Sequence, residues 1–264
     1  MTTLVGLLAA LCYALSGTAA ARVMAGHGHT ARLVMPLAAA AMLLHLLYLA
    51  LALPATAGTD FGVLKTGATA GLLITLLLTT IHSRKPLLPL LPPTYFIATV
   101  VVVVAVLVPE HRFYDLGHKP AVVLHIALSL SAYALFNVCA LLALLVAFIQ
   151  HRLKQRKMGL NPAIPSLVGV EQLLQQLLAM GIVVLAAAVA TGLLFLDGFW
   201  GQGQAHKAIL TTAALLFYLG LWWRQRQVGV RGRLLVIAHV SGALLLTLAY
   251  FGSRLIREVL LERL

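Results

Sequence analysis

The chain has 264 residues, of which 61% are hydrophobic and only 10% are charged, and its formal net charge is +12. So few charged side chains cannot cover the outside of a water-soluble protein, which excludes a soluble catalytic domain. The basic residues fall in short clusters between apolar runs, where they would face anionic headgroups. The charge therefore indicates the lipid bilayer as partner and excludes nucleic acid.

Eight apolar runs follow one another along the chain, separated by polar, glycine or proline residues. They lie at about 3–21, 33–53, 63–81, 91–108, 121–149, 173–196, 208–223 and 234–255. Runs of about twenty residues match the length of a helix that crosses a bilayer, and the alternating pattern of a barrel strand is absent. The sequence predicts an all-α polytopic membrane protein with about eight transmembrane helices, in a single transmembrane domain over residues 1–264.

The orientation follows from the distribution of the 19 lysine and arginine residues. The loops after the first, third, fifth and seventh runs hold twelve of them, and the other loops and flanks hold seven. By the positive-inside rule, both termini face outside and the basic loop 150–171 faces the cytoplasm. The glutamine-rich stretch 170–178 is expected to lie along the membrane interface, and Trp222 and Trp223 to anchor the seventh helix there.

The two cysteines, Cys12 and Cys139, each lie inside an apolar run, and the chain has no C-x-x-C or C-x-x-C-H motif. This argues against a disulfide framework, a thioredoxin-type site and covalently attached haem. The seven acidic residues all lie outside the deep parts of the predicted helices, which disfavours proton-coupled transport.

Histidine is abundant for so apolar a chain, with ten residues. An ionisable group inside a membrane is a candidate functional residue, although a neutral imidazole can also be a packing residue. His125 lies about 6 Å into the fifth helix from its outer end, and His206 opens the seventh helix on the same side. Two such histidines at equal depth match the axial ligands of a haem. Ser129 and Ala132 share the face of His125 and leave a small surface for a flat ring.

Further candidates lie near these two histidines or at other depths. His45 in the second helix and His239 in the eighth are either additional ligands or hydrogen-bonded packing residues. Trp200 either stacks on a macrocycle or is an interfacial anchor. Lys207 is suited to pair with a haem propionate, and Arg254 either does the same or snorkels outward.

The predicted helices, together with their histidines and the loops between them, resemble those of the bacterial cytochrome c assembly family, the CcsA- and HemX-like proteins. The resemblance is strongest to the short YpjD-type inner-membrane members of that family. The resemblance covers most of the chain and is carried by the segment 124–133, His45, His206-Lys207-Ala208, Arg231-Gly232-Arg233 and the segment 248–254. It implies a location in the bacterial inner membrane, non-covalent b-type haem as cofactor, and other cytochrome c assembly or membrane proteins as partners.

In larger relatives, external histidines flank a tryptophan-rich segment that holds haem, which implies His125 and His206 as the iron ligands here. The run W-G-x-x-W-x-W-D of those relatives is replaced by Trp200-Gly201-Gln202-Gly203-Gln204-Ala205-His206. The resemblance therefore implies haem handling by an accessory factor, and not an enzyme that attaches haem to cytochrome c.

Two other functions remain open on the residues alone. A permease for a small solute would show discontinuous helices and symmetric halves, and Pro89, Pro92 and Pro93 are placed to break the fourth helix. A non-catalytic regulator of a partner enzyme would use the basic loop 150–171 as its docking surface.

Overall fold

Eight α-helices contain most of the residues that the computed structural model describes. The structure describes residues 1–55, 58–108, 110, 112–117, 119–155, 164–195, 205–229 and 232–252, and of residues 55 and 205–207 it describes the backbone only. The helices are α1 (Thr2–Met24), α2 (Ala31–Ala52), α3 (Val63–His82), α4 (Leu91–Leu107), α5 (Pro120–Lys154), α6 (Leu167–Phe195), α7 (Ala205–Gln227) and α8 (Arg233–Thr247). A π-helical turn, Leu248–Gly252, continues α8.

Seven of these helices are long and apolar enough to cross a membrane, which confirms the all-α polytopic prediction. Within the described residues α7 falls outside this set, because its apolar run ends at Trp223 and is followed by Arg224 and Gln225. The orientation of the chain, the crossing by α7 and the single domain stay predictions.

Two helices differ from the sequence-based expectation. α4 is unbroken from Leu91, because Pro92 and Pro93 lie in its first turn, where a missing N–H costs no helical hydrogen bond. The stretch 170–178, expected along the interface, instead belongs to one continuous helix, α6. Its leucines Leu173, Leu174 and Leu177 are buried, so helix packing accounts for the pattern that indicated an interfacial segment.

The helices divide into two compact units, α1 to α4 and α5 to α8. In the first unit neighbouring helices run antiparallel, as the contacts of α1 show. The Ser16 hydroxyl on α1 donates to the Val34 carbonyl on α2 at 2.8 Å, and the Thr99 hydroxyl on α4 approaches the Ala10 carbonyl at 3.4 Å. Tyr48, Leu49, Ala68, Leu72 and Ala105 form an apolar cluster between α2, α3 and α4.

A small antiparallel sheet closes one end of the first unit. Its strands are β1 (Pro54–Ala55), β2 (Gly58–Asp60) and β3 (Phe113–Tyr114), in that order. Beside it, the carboxylate of Glu110 accepts the backbone N–H groups of Val63 and Leu64 at 2.7 and 2.8 Å. These are first-turn donors of α3, so Glu110 supplies the cap that α3 lacks in its own sequence. Lys65 forms a buried ion pair with Asp60.

The second unit is an up-and-down arrangement of α5, α6, α7 and α8. Phe136 on α5 packs over Gly181 on α6 and stacks on Tyr218 on α7, with ring centroids 3.7 Å apart. The hydroxyl groups of Tyr133 on α5 and Thr247 on α8 are 3.1 Å apart. α5 is 35 residues long, about 52 Å, so it exceeds the roughly 30 Å hydrocarbon core and must tilt or project.

Gly242 on α8 is required by the close approach of α7. A Cβ atom there would come within 2.6 Å of the Tyr218 ring and 2.9 Å of Phe217. Gly220 on α7 has no such neighbour within 4 Å. We therefore expect Gly242→Ala to lower the free energy of unfolding by about 1–3 kcal/mol through overpacking.

The measurement is the thermal unfolding midpoint of the purified protein in detergent. Gly220→Ala is the matched control, and it should leave the midpoint unchanged or raise it, because alanine is the better helix former. Equal midpoints for the two variants would contradict the close packing of α7 on α8.

Candidate functional site

His125 lies in the second turn of α5 and is half-buried against α6. Its Nδ1 atom is 2.9 Å from the Ala188 carbonyl oxygen and 3.3 Å from the Thr191 hydroxyl oxygen. A carbonyl oxygen only accepts, so Nδ1 carries the proton and donates. The neutral ring therefore has its lone pair on Nε2, the tautomer of a histidine whose orientation is fixed for metal binding.

Thr191 stabilises this arrangement from the α6 side. Its hydroxyl group lies 2.9 Å from both the Ala187 and the Ala188 carbonyl oxygens. The hydroxyl proton is thus used within α6, and the hydroxyl oxygen is left to face His125 as a second acceptor. Both acceptors belong to one helical turn, so α6 sets the position and the tautomer of the imidazole.

The small residues below His125 are packed against neighbouring helices. Ser129 is 6% exposed and Ala132 is fully buried, so the surface expected to admit a flat ring is taken up by helix packing. Leu124, beside His125, is 50% exposed. The accessible surroundings of His125 are therefore those nearer the start of α5.

His206 is the second residue of α7, and only its backbone is described. α5 and α7 run in the same direction, since each is antiparallel to α6, and the stacked pair Phe136 and Tyr218 fixes their relative level. His125 precedes Phe136 by eleven residues and His206 precedes Tyr218 by twelve, about 17 and 18 Å of helix. The two positions thus lie at a similar level along α5 and α7, and the pairing of the two imidazoles stays a prediction. Trp200, Arg254 and the side chain of Lys207 lie outside the described residues.

His45 belongs to the first unit and is fully buried. Its Nδ1 atom is 3.4 Å from the Tyr13 hydroxyl, which is 3.1 Å from the Thr75 hydroxyl. Thr75 in turn donates to the Leu72 carbonyl. In this chain each group donates to the next, so Nδ1 carries the proton and Nε2 has the lone pair. Among the described residues, that buried Nε2 atom has no hydrogen-bond partner.

His239 on α8 is also fully buried, but its nitrogens are used differently. Its Nε2 atom is 3.0 Å from the amide nitrogen of Gln225 on α7. An amide N–H only donates, so His239 accepts with its lone pair. Its Nδ1 atom is then the one left without a partner among the described residues. This arrangement is that of a packing histidine, and a ligand role for His239 stays a prediction.

Among the described residues, groups of three or more histidine, cysteine or acidic side chains that would hold a metal ion are absent. The three histidines inside the predicted spans, His45, His125 and His239, instead lie on three different helices. Single imidazoles with a free nitrogen fit the axial ligands of a haem iron, which needs two donors and takes the rest of its coordination from the porphyrin.

Sequence reasoning missed the polar groups at the sheet end of the first unit. Glu110 lies 47 residues after Val63, and no local pattern connects a loop glutamate with a helix that begins so far upstream. Asp60 precedes α3 and Lys65 lies in its first turn, five residues later. Opposite charges at so short a distance along the chain could have predicted their ion pair.

The fold thus defines a multi-pass α-helical membrane protein with isolated intramembrane histidines. The sequence model described as "Cytochrome C assembly protein" matches residues 6–261. The chain belongs to this cytochrome c assembly family.

Two bacterial relatives support the assignment. "Inner membrane protein YpjD" of Escherichia coli (strain K12) is 33% identical over 203 residues, which is 77% of each chain. An "Uncharacterized 28.8 kDa protein in nifR3-like 5'region" of Azospirillum brasilense is 35% identical over 144 residues, 52% of each chain. No solved structure matches the chain. The chain is therefore a multi-pass protein of the bacterial inner membrane, as predicted.

The hydrogen bonds of His45 predict opposite changes in stability for the variants Tyr13→Phe and His45→Phe. Tyr13→Phe leaves both nitrogens of a buried imidazole without a partner and should lower the free energy of unfolding by about 1–3 kcal/mol. His45→Phe removes the unpaired Nε2 atom while the Tyr13 and Thr75 hydroxyl groups keep each other, so stability should be unchanged or higher.

Thermal unfolding of both purified variants against the wild-type protein measures this contrast. A loss in His45→Phe as large as that in Tyr13→Phe would show that Nε2 has a partner in the folded protein.

Proposed function

We propose that this protein binds haem non-covalently, as a b-type cofactor, between His125 and His206 near the outer face of the membrane. It acts as an accessory, haem-handling member of the cytochrome c assembly family and makes no covalent bond itself. The observation that carries this proposal is the donation from His125 Nδ1 to the Ala188 carbonyl, which leaves Nε2 as an iron ligand.

The residues have separate roles in this proposal. His125 supplies a ligand nitrogen whose direction α6 fixes before binding, which reduces the ordering cost of binding. His206 supplies the second nitrogen from a similar level on α7. Trp200 stacks on the porphyrin, and Lys207 and Arg254 pair with the propionates, the roles expected for them from the sequence. The bound haem supplies a redox-active iron whose potential depends on the hydrogen bonds of its ligands.

His45, in the first unit, is a further candidate haem ligand in this proposal. Its buried Nε2 atom has no hydrogen-bond partner among the described residues, which costs stability, and a ligand role would explain why this cost is retained. Partners of the protein in this proposal are other cytochrome c assembly or membrane proteins that deliver or accept haem.

The test is the absorption spectrum of the purified protein with and without added haem. We expect a Soret band and the visible bands of a six-coordinate bis-histidine haem in the wild-type protein. His125→Ala and His206→Ala should each weaken haem binding at least tenfold, because each removes one iron ligand. His151→Ala, at the exposed far end of α5, is the matched control and should bind as the wild type does.

Two outcomes contradict the proposal at different levels. An unchanged spectrum in both ligand variants would remove the site assignment while leaving haem binding in place. A wild-type protein that takes up no haem, although it is folded and monodisperse, would remove haem handling itself.

A further inference from the structure

A cavity of about 510 Å³ opens between α6 and α7, at the end of the second unit where α6 begins and α7 ends. Five of its seven lining residues are glutamine or arginine, although both helices belong to an apolar bundle. The polar lining consists of Gln172, Gln175, Gln176, Gln225 and Arg226. These side chains bring amide and guanidinium N–H donors to the cavity, together with amide oxygens as acceptors.

Gln225 forms the buried wall of this cavity. It is only 8% exposed, and its amide nitrogen donates to His239 Nε2 at 3.0 Å. This bond fixes the orientation of the amide, so that its remaining N–H and its carbonyl oxygen are held in place. A buried polar side chain with a fixed orientation is a feature of a built binding site.

Arg226 supplies the positive charge of the cavity. Its guanidinium group lies over the Trp222 ring, 4.2 Å from the centroid, within the range of a cation–π contact. Both residues line the cavity. A planar cation supported on a ring keeps its N–H groups directed at a ligand, and guanidinium is well suited to phosphate oxygens.

The surroundings of the cavity are also positive. Three helices of this unit have basic residues at the end where the cavity lies. They are Arg152 and Lys154 in the last turn of α5, Arg224 and Arg226 in the last turn of α7, and Arg233 at the start of α8. Among the described residues of the unit, Glu171 is the single acidic side chain. The local field therefore favours an anion over a cation or a zwitterion.

Exposed apolar residues continue from the cavity along both helices, away from the end where α6 begins and α7 ends. Ala179 lines the cavity, and one turn further along the same face of α6 Val183 is 68% exposed. On α7, Leu219 and Leu216 are 40% and 64% exposed, one and two turns from Trp222. A ligand with a charged head and an apolar tail would contact both the cavity and these apolar residues, whereas a free oxyanion would contact only the cavity.

We infer that this cavity binds the phosphate headgroup of an anionic phospholipid, with the acyl chains along the exposed faces of α6 and α7. Arg226 and the glutamine amides donate to the phosphate oxygens, and Trp222 lies at the level of the glycerol backbone. The cavity is about 18 Å along α6 from the Ala188 contact of His125, measured from Gln176. The two sites are thus separate, and lipid binding does not depend on haem.

The experiment uses the full-length, delipidated protein in detergent and follows its thermal unfolding midpoint. Phosphatidylglycerol, phosphatidylcholine and inorganic phosphate are added separately, and native mass spectrometry counts the lipids retained. We expect phosphatidylglycerol alone to raise the midpoint at saturation. Its apparent affinity should fall about tenfold in Arg226→Gln and in Gln176→Leu, through the loss of charge-assisted and amide hydrogen bonds.

The matched control is Arg224→Gln, which removes an exposed arginine two residues away that does not line the cavity. It should leave the affinity unchanged. An equal loss in Arg224→Gln and Arg226→Gln would overturn the proposal in favour of diffuse attraction to the basic end. Equal stabilisation by phosphatidylcholine would contradict selectivity for an anionic headgroup. Saturation of the site by inorganic phosphate alone would show that the ligand is a free anion and not a lipid.

Discussion

Lipid offers no hydrogen bonds, and this constraint governs the backbone and the side chains of the protein alike. It requires helices along the chain, since a helix satisfies its own N–H and C=O groups. It also requires each buried polar side chain to find a partner or to bear a cost. Some partners are carbonyl oxygens of neighbouring helices, as for Ser16 with Val34 and His125 with Ala188. Others are side chains, as for Gln225 with His239. The polar contacts therefore fix how the apolar helices align.

The three described histidines of the membrane interior differ in which ring nitrogen is occupied. In His125 and His45 the Nδ1 atom donates and the Nε2 lone pair remains. In His239 the lone pair is occupied by Gln225. Chemistry at iron needs that lone pair, so the hydrogen-bond pattern separates candidate ligands from a packing residue more sharply than depth in the membrane does. A protein that handles haem gains from such fixed tautomers, because no proton has to move before the metal binds.

Hydrophobic run length was sufficient to predict all eight helices, with ends that differ from the structure by a few residues. The register of α5 against α7, by contrast, depends on the stacking of Phe136 on Tyr218, two residues 82 positions apart. The same limit applies to Gln225: its sequence neighbours suggest an interfacial side chain, but contact with His239 buries it. The sequence also suggested an interfacial segment at 170–178, because an amphipathic pattern is the same for a helix that lies on a membrane and one that packs into a bundle.

The capping of α3 has a consequence for the order of events during biosynthesis. Glu110 accepts from the N–H groups of Val63 and Leu64, so these two hydrogen bonds cannot form until the ribosome has made nearly fifty further residues. At ordinary elongation speed that interval is on the order of seconds. Until then these two capping hydrogen bonds cannot form, although the rest of α3 can already satisfy its own backbone groups. The start of α3 is therefore completed later than the rest of that helix.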